Sequence, residues 1–325
     1  MKTNTIRKAA LTASVTASLL ACPPLLTSSL RAEEGASGHY MPGATASFID
    51  MPPAKGGFVY ANLFTYYSGS INAGRQLNLG GQIVGGVNAT VYADTSLFLY
   101  ATPLEIFGGK YSVGVAVPYV WMGVTGTVTT NRRTVTKTDT ADGFGDVQIM
   151  PFMLGWKKGD LSWGLTMSVY APSGSYNKGA LANVGLNYWT FEPSVSVSWL
   201  SSKIGLEISA VAGFDMSTKN ETTDYYSGNV LHLDATIAEH LPVGKGFLGV
   251  GASAFYYQQV SGDHGSGAKL GGFEGRTVGV GPVLSYATKV GGKTDMVAEV
   301  KWLPELGTQK RLQGDTVWFK LAFSF

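Results

Sequence analysis

Four histidines (His39, His232, His240 and His264) and one cysteine, Cys22, are the residues of this 325-residue chain best suited to chemistry. Nucleophilic catalysis needs a serine or thiol within hydrogen-bond reach of a histidine that a third group orients. His232 stands two residues before Asp234, so an extended chain puts both on one face. No serine is placed to complete the set, for His232 or for His240. Ser261-Gly262-Asp263-His264-Gly265 offers one acid and one histidine in a glycine-rich loop, without metal-ligand spacing. Gly279-Val280-Gly281 is too short for a nucleotide fingerprint and no helix follows it. The expectation is a protein that is not an enzyme, with no metal site and no cofactor.

What remains is a set of charged and polar residues interleaved with apolar ones: Asp94, Asp146, Gln148, Glu192, Glu207, His232, Asp234, Glu299, Lys301 and Lys320. Their neighbours explain them. Phe191, Pro193, Val195, Val197 and Trp199 alternate with Glu192, Ser194, Ser196 and Ser198. Leu231, Leu233, Ala235 and Ile237 alternate with His232, Asp234 and Thr236. Period two with one greasy face is a strand whose two sides meet different media. The pattern predicts twelve strands, near 58–68, 89–101, 111–125, 144–156, 161–171, 188–200, 203–216, 229–240, 247–259, 273–287, 294–303 and 315–325. In 89–101, Val91, Ala93, Thr95, Leu97 and Leu99 oppose Tyr92, Asp94, Ser96 and Phe98. Asp94 is expected to turn inward there, with Tyr92, Phe98 and Tyr100.

The last strand is the cleanest. Val317, Phe319, Leu321, Phe323 and Phe325 share one face, and Trp318, Lys320, Ala322 and Ser324 the other. A transmembrane strand needs about 9–11 residues, and lipid covers its apolar face. Charged residues make up only 14% of the chain, against roughly 25% in soluble domains. No apolar run beyond the N-terminus is long enough for a membrane helix. The 43 glycines, 16 tyrosines and 7 tryptophans suit turns and interfacial aromatic girdles. Long polar connections alternate with short Gly/Lys-rich ones such as Lys157-Lys158-Gly159-Asp160 and Gly291-Gly292-Lys293. The fold class is therefore all-β: a transmembrane antiparallel up-and-down barrel of about twelve strands, both termini periplasmic, closed by pairing 315–325 with 58–68. For that strand count the backbone radius is roughly 12 Å and the passage on the order of 10 Å, wide enough for one aromatic ring.

Lys2, Arg7 and Lys8 precede an apolar stretch too short to span a bilayer, so residues 1–32 read as a secretory signal, cut after Ala32. Cleavage before Cys22, with lipidation there, is the alternative. Residues 33–56 carry three prolines and no period. They are either a plug folded into the lumen, with His39 and Tyr40 on the inward polar residues, or a tether. The barrel proper is 57–325. A net charge of +2 gives no footprint for nucleic acid.

Gly38-His39-Tyr40-Met41-Pro42-Gly43, Asp142-Gly143-Phe144-Gly145-Asp146, Tyr170-Ala171-Pro172-Ser173-Gly174-Ser175-Tyr176 and Asn187-Tyr188-Trp189-Thr190-Phe191-Glu192-Pro193 resemble the outer-membrane proteins of the meta-pathway phenol-degradation (phenol-degradation transporter-like) family. The resemblance runs along nearly the whole mature chain. It implies a channel in the outer membrane of a Gram-negative bacterium for small hydrophobic or aromatic solutes. A barrel with a closed lumen and partner-binding loops is the rival. The expected partners are outer-membrane lipid, small apolar or aromatic solutes and the assembly machinery, which would read Phe319, Leu321, Phe323 and Phe325. A monomer is expected. The inward charges would be a selectivity lining or a paired network that stiffens the wall.

Overall fold

The computed structural model describes residues 38–72, 74–129, 134–272 and 274–325. The signal segment and Cys22 lie outside the described residues. Sixteen strands follow in order: β1 (Gly57–Ser70), β2 (Gln76–Leu79), β3 (Gln82–Ile106), β4 (Gly109–Thr129), β5 (Thr134–Phe144), β6 (Val147–Lys158), β7 (Leu161–Ala171), β8 (Thr190–Leu200), β9 (Leu206–Ser217), β10 (Lys219–Asn220), β11 (Tyr225–Tyr226), β12 (Val230–Val243), β13 (Gly246–Gln259), β14 (Arg276–Val290), β15 (Thr294–Gln309) and β16 (Gln313–Ser324).

Twelve of them make the wall: β1, β3, β4, β6, β7, β8, β9, β12, β13, β14, β15 and β16, each antiparallel to the next. β16 returns to β1, in register from Val59↔Ser324 to Ser70↔Gln313. Closure leaves none of the twelve wall strands with an unpaired edge, which lipid would not tolerate. These twelve match the twelve that the alternation predicts. β2, β5 and the β10–β11 pair extend the wall or fold above it, where the sequence suggested only polar loops. Thr134–Phe144 is solvated on both faces, so it carries no apolar stripe to announce a strand.

The outer face is a band of apolar side chains, with Phe64, Val195, Ile237, Leu284, Val300 and Phe319 exposed. Aromatic rings gather towards its ends. Trp156 stacks on Trp163 at 6.2 Å and Phe58 meets Phe325 at 6.3 Å beside the short turns; Tyr66 meets Tyr92 at 5.1 Å near the long loops. Such girdles sit at the two bilayer interfaces.

One sequence expectation is reversed. Val91, Ala93, Thr95, Leu97 and Leu99 of β3 line the interior, while Tyr92, Phe98 and Tyr100 are exposed on the outer face. Asp94 goes outward with them and accepts a hydrogen bond from the Asn62 amide of β1. Strand faces move together, because a slip of one residue flips every side chain. Three large rings suited to the interface outweigh one carboxylate that an adjacent amide satisfies. Beside β3, Val59, Leu63, Ala116, Val120, Met122 and Met150 also face inward. The interior is thus apolar on β1, β3, β4 and β6 and polar on the strands opposite.

Candidate functional site

Residues 38–53 run inside the barrel against its polar half. His39 begins the contacts. Its Nε2 lies 2.9 Å from Asp146 Oδ2 and its Nδ1 2.8 Å from Thr190 Oγ1, and its ring stacks on Tyr170 at 4.9 Å. The Tyr40 hydroxyl donates to Asp234 Oδ1 at 2.5 Å. The same carboxylate accepts the Gly43 N–H at 3.1 Å and the Thr45 hydroxyl at 2.6 Å. Gly43 has φ +78 and a Cβ there would lie 2.0 Å from Leu303 Cδ1, so both the turn and the close approach require glycine.

Further along, the Ser47 hydroxyl donates to Glu299, and the Phe48 N–H donates to Glu207 Oε1 at 2.7 Å. Asp50 receives Lys320 Nζ at 2.5 Å. Lys301 Nζ donates to the Thr45 carbonyl at 2.9 Å, and Trp318 Nε1 to the Pro42 carbonyl at 3.3 Å. Pro52 fills the space over Gly155 and Gly164, whose missing side chains leave room for it. The charges also pair among themselves: Glu207 with His240 at 2.7 Å, and Glu299 with Lys301 at 3.3 Å and Lys320 at 3.5 Å. Buried charges persist only when paired and hydrogen-bonded, and here the segment supplies many of the partners.

Of the ten residues the sequence nominates for the lumen, nine lie on the inner side and Asp94 does not. Gln148 donates to the Ser168 hydroxyl at 3.0 Å and the Tyr170 hydroxyl at 3.1 Å. Glu192 accepts the Tyr170 hydroxyl at 2.7 Å. Sequence reasoning did not reach Thr45, Ser47, Asp50 and Trp318, because their partners lie hundreds of residues away.

Between this segment and the apolar half of the wall lies a cavity of about 480 Å³. Leu97, Leu99, Met122 and Met150 bound it on one side, and His39, Tyr40, Tyr170 and Trp318 on the other. Above it the long loops fold inward. Ile71, Leu77, Leu79, Val84, Val87, Leu181, Ala182 and Leu312 form a buried cluster there. Polar ties hold this lid: Gly179 N–H to the Gly80 carbonyl at 2.8 Å, and Leu181 N–H to Asp139 Oδ2 at 2.7 Å. That N–H, with Lys137 at 2.8 Å, holds the Asp139 carboxyl below its usual range.

The fold matches a crystal structure of an outer membrane channel from Pseudomonas putida F1, at 13% identity and a TM-score of 0.57, covering 88% of this chain and all of that one. The β domain of the Bordetella autotransporter BrkA follows at 12% identity and 0.47, covering 83% of this chain and all of that one. The transport unit of the Escherichia coli autotransporter AIDA-I gives 10% identity and 0.41, covering 85% of this chain and 92% of that one. The last two are too distant to carry an argument. None of the curated proteins matches the sequence. A family model matches residues 74–321, most of the wall and most of the loops above it, and by that match the chain belongs to the MetA-pathway of phenol degradation family.

Proposed function

We propose that this barrel passes small apolar or aromatic compounds across the outer membrane of a Gram-negative bacterium, with residues 38–56 as the plug of the passage. The carrying observation is the cavity, apolar on one wall and flanked by aromatic rings on the other. A cavity of about 150 Å³ lodges a benzene ring, so 480 Å³ is room for a one- or two-ring solute. Sugars and ions gain nothing from such a wall, because their polar groups lose water without replacement. The lid and the segment both narrow the path, so movement of either widens it. The reading extends to the inward residues Asp146, Gln148, Glu192, Glu207, His232, Asp234, Glu299, Lys301 and Lys320. They act as the plug's socket more than as a filter. Phe319, Leu321, Phe323 and Phe325, on the lipid side of the closing strand, are the part offered to the assembly machinery, and the barrel works as a monomer.

The test is permeation into proteoliposomes of the purified barrel. Phenol-like solutes should enter faster than into protein-free vesicles, and sugars of similar mass should not. Permeation of neither would sink the transport reading in favour of a closed structural barrel. Equal permeation of both would make it a general pore.

A further inference from the structure

Three of the four histidines face carboxylates inside the barrel, and one of the three does so differently. His39 stands 2.9 Å from Asp146 and His240 2.7 Å from Glu207, which are hydrogen-bond lengths. His232, only 1% exposed, has Nε2 at 3.4 Å from Glu192 Oε1 and 3.6 Å from Asp215 Oδ1. Neither ring nitrogen has a hydrogen-bond partner among the described residues. A buried imidazole aimed between two carboxylates, hydrogen-bonded to neither, leaves between the three a gap that a proton or an ion would fill.

The spacing says what would fit. Donors on a tetrahedral divalent metal with bonds of about 2.0–2.2 Å stand roughly 3.3–3.6 Å apart. The two measured separations fall in that range. We propose that Glu192, Asp215 and His232 form a binding site for one divalent transition-metal ion of the zinc class. One oxygen or nitrogen from each of the three lies within 4.8 Å of the others. The three come from β8, β9 and β12, adjacent strands in the wall. Once an ion has displaced any proton from the imidazole, the three side chains carry two negative charges, which one divalent ion balances. The nitrogen donor favours zinc, copper or nickel over calcium or magnesium.

The surroundings are built to the same end. The Tyr170 hydroxyl occupies Glu192 Oε2 at 2.7 Å, which leaves Oε1 to face His232. Gly213 keeps the floor open, since a Cβ there would stand 2.2 Å from His232 Nε2. Tyr40 stacks on the imidazole at 3.7 Å and fixes its plane. Three protein donors leave a position for water. The site sits under the segment that Tyr40 helps anchor, so the ion would fasten three wall strands beneath it.

The test uses the full barrel folded in detergent, stripped with EDTA, desalted and titrated with Zn²⁺ by calorimetry at neutral pH. One equivalent per chain should bind, and Zn²⁺ should raise the unfolding midpoint. His232→Ala and Glu192→Gln should each weaken binding at least 100-fold and abolish the rise, while His264→Ala, on a loop, should change neither. Folding of each variant is checked by heat-modifiable gel migration; Glu192→Gln keeps the side-chain shape where the alanine variant does not fold. Failure of the stripped wild type to bind Zn²⁺ at micromolar concentration would overturn the proposal. So would unchanged binding in either folded variant.

Discussion

Asp234→Ala should loosen residues 38–56 more than any other single change, and its size can be worked out. Asp234 is buried and accepts three hydrogen bonds from the segment, from Tyr40, Gly43 and Thr45. A hydrogen bond to a charged group is worth about 1.5–3 kcal/mol net. The three share one carboxylate, so they do not add in full, and about 3–5 kcal/mol is the expected loss. At 1.4 kcal/mol per factor of ten, the population with this stretch detached should rise roughly 100- to 3,000-fold. The ends stay held by His39 on Asp146 and Asp50 on Lys320, so the middle should fray before the whole leaves. Single-channel recording in planar bilayers reads this directly. The wild type should be closed with rare openings, and Asp234→Ala should open more often by two orders of magnitude. Asp94→Ala, on the outer face, should not. Indistinguishable traces from folded Asp234→Ala and wild-type barrels would refute the assignment of this carboxylate as the anchor of a plug.

The remaining expectations concern the wall and the lid. Asn62→Leu with Asp94→Leu removes a polar pair from the lipid-facing side and should stabilise the barrel by about 1–2 kcal/mol, read from urea unfolding in liposomes; destabilisation would argue that the pair meets water or protein there. Phe323→Asp with Phe325→Asp puts two charges on the lipid side of the closing strand and should cut outer-membrane levels sharply, and normal levels on a surface-fraction blot would contradict that role. Asp139 titrates below its unfolded value, so its support of the lid is fully present above about pH 4 and fades as pH falls through the lower, folded value. Protection of the Leu181 amide, measured against its intrinsic exchange rate at each pH, should fall in that acid window, and at neutral pH in Asp139→Asn; protection unchanged in both would rule the tie out.

The twelve wall strands were legible because each must satisfy two media at once, and that constraint writes period two into Phe191–Trp199, Leu231–Ile237 and Val317–Phe325. Closure followed from the same physics, since neither end strand could leave its edge bare. The facing of β3 was not legible. Both of its faces carry apolar side chains, and the one charge in residues 89–101, Asp94, pointed the wrong way because its partner Asn62 lies on another strand. β5 and the lid strands escaped for a related reason. They extend hairpins into water, where no apolar stripe is needed. The cluster of Leu77, Val84, Leu181 and Leu312 joins three separate connections, Leu77 and Val84 facing each other across one hairpin, and no local pattern marks such a meeting. Glu192, Asp215 and His232 share this limit: they meet across three strands, so no spacing in the chain brings them together on paper.

The placement of charge also bears on what the barrel can admit. A lining that selects ions must offer its charges to the ion, exchanging water for protein groups one step at a time. Here Asp146, Asp234, Glu207 and Glu299 each accept hydrogen bonds from residues 38–56, and Lys301 and Lys320 donate to the same segment. An ion could use these groups only by breaking several charge-assisted bonds, each worth about 1.5–3 kcal/mol. The cavity side, from Val59 through Leu99 to Met150, offers it no compensation. An apolar solute meets the opposite balance, because it gains about 25 cal/mol for every Å² of its surface taken from water and leaves the polar socket intact. The division of the interior into a gripping half and a greasy half therefore favours solutes that need only the second.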